Sequence, residues 1–543
     1  MDSPRGPHGD GRSSMELSGQ YIYALTLCGI LLILYIVRQV LPVAYTWCRI
    51  LFLLFLRLFS YTFVIHRHRW LGPWTIDLIA SRTLYLIANL LCLLMPSVSR
   101  AELASRAGSL AAINITPLFL SIHLDFLADA FGLPLKTIQE AHRSAGVMTF
   151  ALLTLHVCLL VDLEAVPGLY VMMASMSAAV MVLLGMTPLR RRVHELADKT
   201  HKALAITMAF STWQHISTIT HVHRWLLYTA AGVICLVHAV QVCLFLRRNV
   251  CWGKPFPRAH VTSDGSIVRI VLCLPRPVKI DAGQYISLSM ISSTIGFWSW
   301  VQSHPFTITS WSLRRQDELE LCVQCRSGLT LRLLQSGERT FLAFFSGPYG
   351  RSHSLKAAKS ILMLMTDFGI VAVLPYLKKI TVNYECRVHM VWHVKRLSDF
   401  APLVTLLNEY LRDHTLRNVR RILQISVYNE RGVHNEGFGY HGRVNMLACA
   451  PDIADIMKSE IDGGFITELG LSSHTPHAGL EGTSPHPTDH ASLRESQVRY
   501  KADCSHILVL VSGSHVLRDT TRKLAGRYLS RGLVLKELDY QQE

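Results

Sequence analysis

Uncharged apolar runs crowd the first 246 of the 543 residues, and nothing else in the sequence restricts the fold as severely. They cover Tyr21–Val37, Thr83–Pro96, Ser109–Leu124, Ser144–Val161, Gly168–Pro188, Ala203–Thr220 and Trp225–Leu246. About 20 such residues in a helix span a bilayer. Backbone in lipid must bond to itself, so the runs predict a polytopic helical bundle. An eighth run, Leu41–His66, is interrupted by Arg49 and Arg57; spanning, interfacial and hairpin arrangements all stay open for it. Residues 1–19 are polar and are expected to form a disordered tail, and no cleavage site of a signal peptide follows the first run.

The formal net charge is +16, but its placement argues for topology and against nucleic acid as a partner. Arg190, Arg191, Arg192, Lys199 and Lys202 crowd one short loop, His66–Arg69 flank another run, and Arg247-Arg248 follow the last. The opposing loop carries Asp162 and Glu164. By the positive-inside rule the basic loops, and everything after residue 247, are cytoplasmic. The thirteen cysteines are scattered and give no disulfide framework. Cys322 and Cys325 have redox or zinc spacing, but with no second pair they read as strand residues.

From Cys251 the chain is soluble in character. Alternating segments such as "SIVRIVLCL" follow the turn Ser263-Asp264-Gly265, and past residue 355 apolar strands alternate with helical stretches. That order predicts a β-rich domain and then an α/β domain. A Ser/His/Pro-rich stretch at about 470–498 reads as a disordered insert whose histidines are solvated.

Histidines inside the apolar runs carry the chemistry. Thirteen residues separate His142 from His156, and thirteen separate His201 from His215. Fourteen helical steps of ~100° return to within ~40° of the starting direction and rise ~21 Å. Each helix therefore shows two imidazoles on one face, near opposite membrane surfaces. Both helices leave cytoplasmic loops, so they run parallel: His142 lies level with His201, and His156 with His215. Two imidazoles at each of two depths suit two stacked bis-histidine haems. His123 and His238 also lie in apolar runs, lack such spacing, and read as packing or hydrogen-bonding residues.

The motif His304-Pro305-Phe306-Thr307, within "SHPFTITSW", completes a pattern. With the paired histidines it resembles the ferric reductase and NADPH oxidase group, and most closely the fungal plasma-membrane metalloreductases, from about residue 75 to the C-terminus. The resemblance implies that these four residues border the flavin and ribityl chain of FAD. Ala282–Tyr285 is similar to the strand end "PGQY" of that group, and the segment Arg326–Thr330, with Arg326, Gly328 and Thr330, to the one receiving the FAD pyrophosphate. Gly347-Pro348-Tyr349-Gly350 resembles the "GPYG" that faces the nicotinamide. Gly369, in "ILMLMTDFGIVAVLPYL", and Ser512-Gly513 fall where NADPH binds. The sequence departs from the group at Asp367, where a glycine is usual, at Ser512-Gly513-Ser514, which lacks a proline, and at the C-terminus, whose last aromatic is Tyr540.

The expected fold is an α-helical polytopic membrane bundle with a di-haem ferric-reductase-like core, plus a ferredoxin-reductase-like module of antiparallel β-barrel and α/β nucleotide-binding domain. Its boundaries are a tail at 1–19, membrane helix or helices at 20–74, the six-helix di-haem domain at 75–248, the FAD barrel at 249–350 and the NADPH domain at 351–543. The resemblance implies FAD, two b-type haems and NADPH as cofactors in a plasma-membrane protein with cytoplasmic FAD and NADPH domains. It implies ferric or cupric chelates as acceptors, and an iron permease or multicopper oxidase as partner. An NADPH oxidase is the nearest rival; the equal histidine gaps favour the metalloreductases, since oxidases of the group shorten the second. A membrane haemoprotein with a degenerate nucleotide site is a second alternative, supported by Asp367. A transporter with a regulatory cytosolic domain leaves the paired histidines unexplained. His221 and His223, just past His215, read as a solvated pair, with metal contact on exit as the other option.

Overall fold

A computed structural model describes residues 47–48, 50–67, 72–95, 99–120, 123–186, 194–217, 221–291, 303–326, 328–337, 339–356, 358–383, 386–412, 423–432, 444–462 and 506–540. The tail at 1–19, the first apolar run, Arg190–Arg192, Ser327, the 470–498 insert and the side chains of His221 and His223 lie outside that description. The chain divides into residues 1–60 and 61–543. The described part of the first unit is an apolar helix through Ile50–Ser60.

The second unit opens with a small antiparallel pair, β1 (Phe63–Ile65) and β2 (Trp74–Thr75). Among the described residues, seven helices follow: α1 (Ile76–Leu94), α2 (Arg100–Leu120), α3 (Leu124–Phe131), α4 (Leu135–Asp162), α5 (Leu169–Leu184), α6 (His194–Ser217) and α7 (His221–Asn249). Among the described residues, α1, α4 and the part of α7 from Tyr228 to Asn249 are long and apolar enough to cross a membrane. Helices α2 and α3 qualify only as a pair bent by 87°. The run Ser109–Leu124, which reads as one span, breaks there. Helix α5 is apolar but has 16 residues.

Small residues explain the tightest helix contact. Ala104, Ala107, Ala111 and Ile115 recur on one face of α2, each at most 2% exposed, and let α4 approach closely. Leu152 and Leu153 of α4, Ala178 of α5 and Met208 of α6 complete that core. Asn114 bonds Asn89 across the α1–α2 interface at 2.9 Å. His123 Nε2 and His238 Nδ1 also lie within hydrogen-bond distance, at 3.2 Å, in line with the hydrogen-bonding role read for both.

The barrel contains β3 (Arg258–Asp264), β4 (Ile267–Val278), β5 (Tyr285–Ile291), β6 (His304–Thr307), β7 (Gln316–Gln324) and β8 (Arg339–Tyr349), with α8 (Leu329–Ser336) between β7 and β8. The order β6-β5-β8-β3-β4-β7 is antiparallel throughout, and a bridge from Ile308 to Leu321 brings the two edges together. Alternate residues of β3, β4, β5 and β7 fill the interior, with Leu329 and Leu333 of α8 packed among them. Cys322 is buried on β7, where burial and then Glu320 push its thiol up to about 12. Cys325 lies just past the strand.

The α/β domain comprises β9 (Ser360–Thr366), α9 (Ile370–Asn383), β10 (Arg387–Val394), α10 (Ala401–Arg412), β11 (Leu423–Asn429), β12 (Val444–Leu447), α11 (Ile453–Asp462), β13 (Ile507–Ser512), α12 (His515–Tyr528) and β14 (Leu533–Glu537). All its strands are parallel, in the order β12-β11-β10-β9-β13-β14. Helices α9 and α10 cover one face and α11 and α12 the other, which is why β9 and β13 are almost continuously apolar. The chain leaves β9 in one direction and returns on its other side as β13. The carboxyl ends of these two strands mark the topological switch point, where open α/β sheets bind their ligands.

Candidate functional site

The apolar helices bring the four histidines together in two pairs. The rings of His142 and His201 have centroids 6.1 Å apart, and those of His156 and His215 are 6.3 Å apart. Helix α4 packs on α2 and α5, and α6 packs on α5, so the imidazoles meet across the space between α4 and α6. A metal–imidazole bond is ~2 Å long, and two such bonds plus the ring radii separate facing centroids by ~6 Å. The donor set therefore fits an iron held between two imidazoles at each level.

The His156 ring is fixed by its surroundings. Its Nδ1 donates to the Ala104 carbonyl at 2.7 Å, which fixes the tautomer and leaves Nε2 as the electron-pair donor. That Nε2 is buried and has no hydrogen-bond partner. Gly108, one turn beyond Ala104, makes the room: a Cβ there would stand 3.1 Å from the ring. His142 likewise has a buried ring nitrogen without a partner, its Nδ1. The sequence reading missed Gly108. The signal was available in the spacing of Ala104, Gly108 and Ala112 along α2, the small-residue pattern of close helix approach.

In the barrel, β6 pairs with β5 so that Thr307 stands opposite Tyr285 and Phe306 opposite Ile286. His304 and Pro305 are half-buried, whereas Phe306 is 3% exposed and turns into the barrel core. The Thr307 hydroxyl donates to the Asp539 carbonyl at 3.2 Å. The Arg326 guanidinium reaches the Tyr540 hydroxyl at 3.3 Å. Its backbone N–H is capped by the Thr330 hydroxyl at 3.0 Å. Gly328 starts α8 with φ 59, a conformation open to glycine. Tyr540 also packs edge-on against Phe368, centroids 5.8 Å apart. The last aromatic thus joins the barrel residues to the first turn of the α/β domain.

Gly347 and Gly350 have φ 111 and 94, and a Cβ on Gly347 would crowd the Tyr285 carbonyl at 3.1 Å. Pro348 lies between them. The Tyr349 ring turns toward the membrane helices, its hydroxyl donating to Gln241 of α7 at 3.1 Å.

The switch point is a pair of interlocked turns. Ser514 N–H donates to the Thr366 hydroxyl at 2.6 Å. A Cβ on Gly369 would lie 2.6 Å from the Ser512 carbonyl oxygen, and one on Gly513 (φ 125) 2.7 Å from the Thr366 nitrogen. Both glycines are required by this close backbone approach. Asp367 takes φ 48, the left-handed conformation that suits the usual glycine. Its carboxylate accepts from the Lys395 backbone beside His393, so it leans toward the end of β10 rather than capping α9. Burial raises its pKa, and His393 and Lys395 partly oppose the rise.

Residues 258–353 match the FAD-binding domain family. Among solved structures, the chain is similar to the flavohemoglobin from Malassezia yamatoensis with bound FAD and heme, at 11% identity and a TM-score of 0.36 over 85% of this chain and 98% of that one. It is also similar to the ferredoxin NADP+ reductase from Neisseria gonorrhoeae with bound FAD and NADP, at 13% identity and 0.31 over 52% and 97%. Phthalate dioxygenase reductase aligns at 12% identity and 0.31 over 52% and 67%. No curated protein matches the sequence. The barrel is thus the part of the chain that matches an FAD-binding domain. It is joined to an α/β domain whose switch point has the architecture of a nucleotide site.

Proposed function

We propose that this protein is a transmembrane oxidoreductase that moves electrons from cytosolic NADPH, through FAD and two b-type haems, to ferric or cupric chelates on the opposite face. The observation that carries the reading is the stacking of two imidazole pairs, 6.1 and 6.3 Å between centroids, in apolar helices ahead of an FAD-binding domain.

FAD supplies the conversion of a two-electron hydride into single electrons, and haem iron carries them singly. The residues of the chain bind and orient. His142 with His201, and His156 with His215, would hold the two haem irons, which would carry single electrons and leave the acceptor to the outer surface. Ala104 and Gly108 hold and make room for His156. Arg326 and the N-terminus of α8 offer positive charge and backbone donors to the FAD pyrophosphate. Thr307, with Tyr540 nearby, frames the flavin; His304 and Pro305 border it, and Phe306 supports that strand from the core. Gly347–Gly350 lie at the end of β8 on the nicotinamide side. The crevice between Thr366–Gly369 and Ser512–Ser514 receives NADPH. No general acid or base is required for outer-face metal reduction.

The equal thirteen-residue gaps support metal reduction over oxygen reduction. The test is NADPH-driven reduction of chelated Fe(III) by reconstituted protein, with superoxide measured in parallel. Iron reduction insensitive to superoxide dismutase is the expected result. Superoxide as the main product would assign the protein to the oxidases, and neither product would favour the non-catalytic haemoprotein.

A further inference from the structure

Helix α3 is gripped by the flavin barrel at both ends. At its first turn, Asp125 Oδ1 accepts the Tyr285 hydroxyl at 2.5 Å, across 160 residues of sequence. At its last, Gly132 closes the helix in the left-handed conformation (φ 63) and gives its carbonyl to the Arg351 guanidinium. What lies on either side of this short helix makes the grip informative. Tyr285 opens β5 directly opposite Thr307. Beyond Gly132, only Leu133 and Pro134 separate α3 from α4, which carries His142. A connected route therefore runs from the flavin strand to the helix of His142 through Thr307, Tyr285, Asp125, α3 and α4.

A second contact shows that the junction is built. Asn249, the last residue of α7 and fully buried, bonds both backbone groups of Phe345 on β8, at 2.7 and 2.9 Å. This fastens the barrel to α7 but leaves the α3 side to be set separately. Tyr285 is 3% exposed, and burial, then the neighbouring Asp125, raise its phenol. It therefore stays a donor at neutral pH. A hydrogen bond to a carboxylate is roughly twice as strong as one between neutral groups, which suits a contact that must fix a distance.

We propose that Asp125 and Tyr285 are positioning residues that set the separation between the flavin site and the inner histidine pair. The proposal rests on the electron-transfer reading above. The step it serves moves one electron from reduced flavin to ferric iron; no bond forms or breaks, and neither residue gains or loses a proton.

The experiment uses the full-length, cofactor-loaded protein in lipid nanodiscs. Anaerobic mixing with NADPH is followed at flavin and haem wavelengths, and hydrogen exchange of α3 amides is measured separately in the oxidised protein without NADPH. In Tyr285→Phe and Asp125→Leu, flavin reduction should stay within about twofold of the parent. Haem reduction should slow about tenfold, equivalent to ~1.4 kcal/mol, and α3 exchange should quicken. The double variant should be no slower than the slower single one, because the two residues act as one contact. Asp125→Asn keeps an acceptor and should recover most of the rate.

Unchanged haem reduction in both single variants overturns the proposal. So does haem reduction that slows only in step with flavin reduction. If Tyr285→Phe loses flavin, Asp125→Leu alone decides. If NADPH fails to reduce haem even in the parent protein, the electron-transfer reading falls and this proposal with it; faster α3 exchange would then still identify the pair as a docking contact, and unchanged exchange would remove even that.

Discussion

The apolar helical half and the β-rich and α/β half keep their cores in different ways. In the α/β domain, β9, β10 and β13 are buried along nearly their whole length and packed by helices on both faces. The helical half has a compact core of Ala111, Ile115, Leu152, Leu153, Ala178 and Met208. Beside it stand two imidazole pairs, with buried polar atoms on His142, Thr149, His156 and Ser211 that no protein group satisfies. Buried polar atoms without partners are costly. Buried polar atoms without a protein partner occur in both halves, among them Thr149 and His156 in the helices and Ser512 and Thr521 in the α/β domain, so what sets the helical half apart is its two imidazole pairs.

The largest effects are expected where that difference is greatest. His142→Ala or His201→Ala should remove one haem of two per chain, and His156→Ala or His215→Ala the other, counted by haem extraction against protein. Gly108→Val should act like a weaker outer-ligand variant, because its side chain would displace the His156 ring. Spectra indifferent to all five substitutions would erase the contrast between the halves.

A fragment from residue 249 should fold and bind FAD without the helices. Arg326→Ala should weaken binding about tenfold through loss of a charged donor, read by flavin fluorescence. Phe306→Ala should instead lower the melting temperature of the fragment, since the ring fills the barrel core.

The junction of barrel and α/β domain offers a pH test. The His353 ring stacks on Tyr376, centroids 6.3 Å apart. Burial, with Lys536 and Arg351 adding to it, lowers its pKa from 6.5 to about 4. The folded state therefore binds fewer protons than the unfolded chain in that window, and stability falls as pH drops from 6.5 toward 4. The loss is at most ~3 kcal/mol for a shift of this size. His353→Gln should flatten the acid limb of a melting-temperature profile between those pH values; an unchanged slope would mean the ring titrates normally.

The smallest effect concerns Asp367. A glycine there would relieve a left-handed backbone worth ~1 kcal/mol but would lose the hydrogen bond from Lys395. The raised carboxyl means that the native residue costs stability as pH rises above 3.8, so Asp367→Gly should gain most at neutral pH. We expect a net gain of ~1 kcal/mol and NADPH affinity changed by less than about tenfold. A larger gain in affinity, lost at high salt, would show that the carboxylate opposes the cofactor.

How much was legible in the sequence follows from where each signal resides. The histidine pairs could be read because helical periodicity is local and fixed: fourteen residues set both face and depth. The parallel sheet was visible in runs such as "SILMLM", and the barrel in alternating strands. The break after Leu120 was hidden, because an uncharged run gives no sign of an 87° turn. Equally hidden were Asn249 joined to Phe345 and Asp125 joined to Tyr285, 96 and 160 residues apart, since no local pattern encodes which distant backbone a side chain will meet. Asp367 was visible as a departure from the usual glycine, but the direction of its carboxylate depended on Lys395 at the end of the neighbouring strand.

The most direct test of the account is a count made on purified full-length protein: haem per chain, spin state, and reduction on anaerobic addition of NADPH. Two low-spin haems per chain, both reduced by NADPH in the presence of FAD, are the predicted result. A single haem, a high-spin spectrum, or two haems that NADPH leaves oxidised while the flavin is bleached would contradict it.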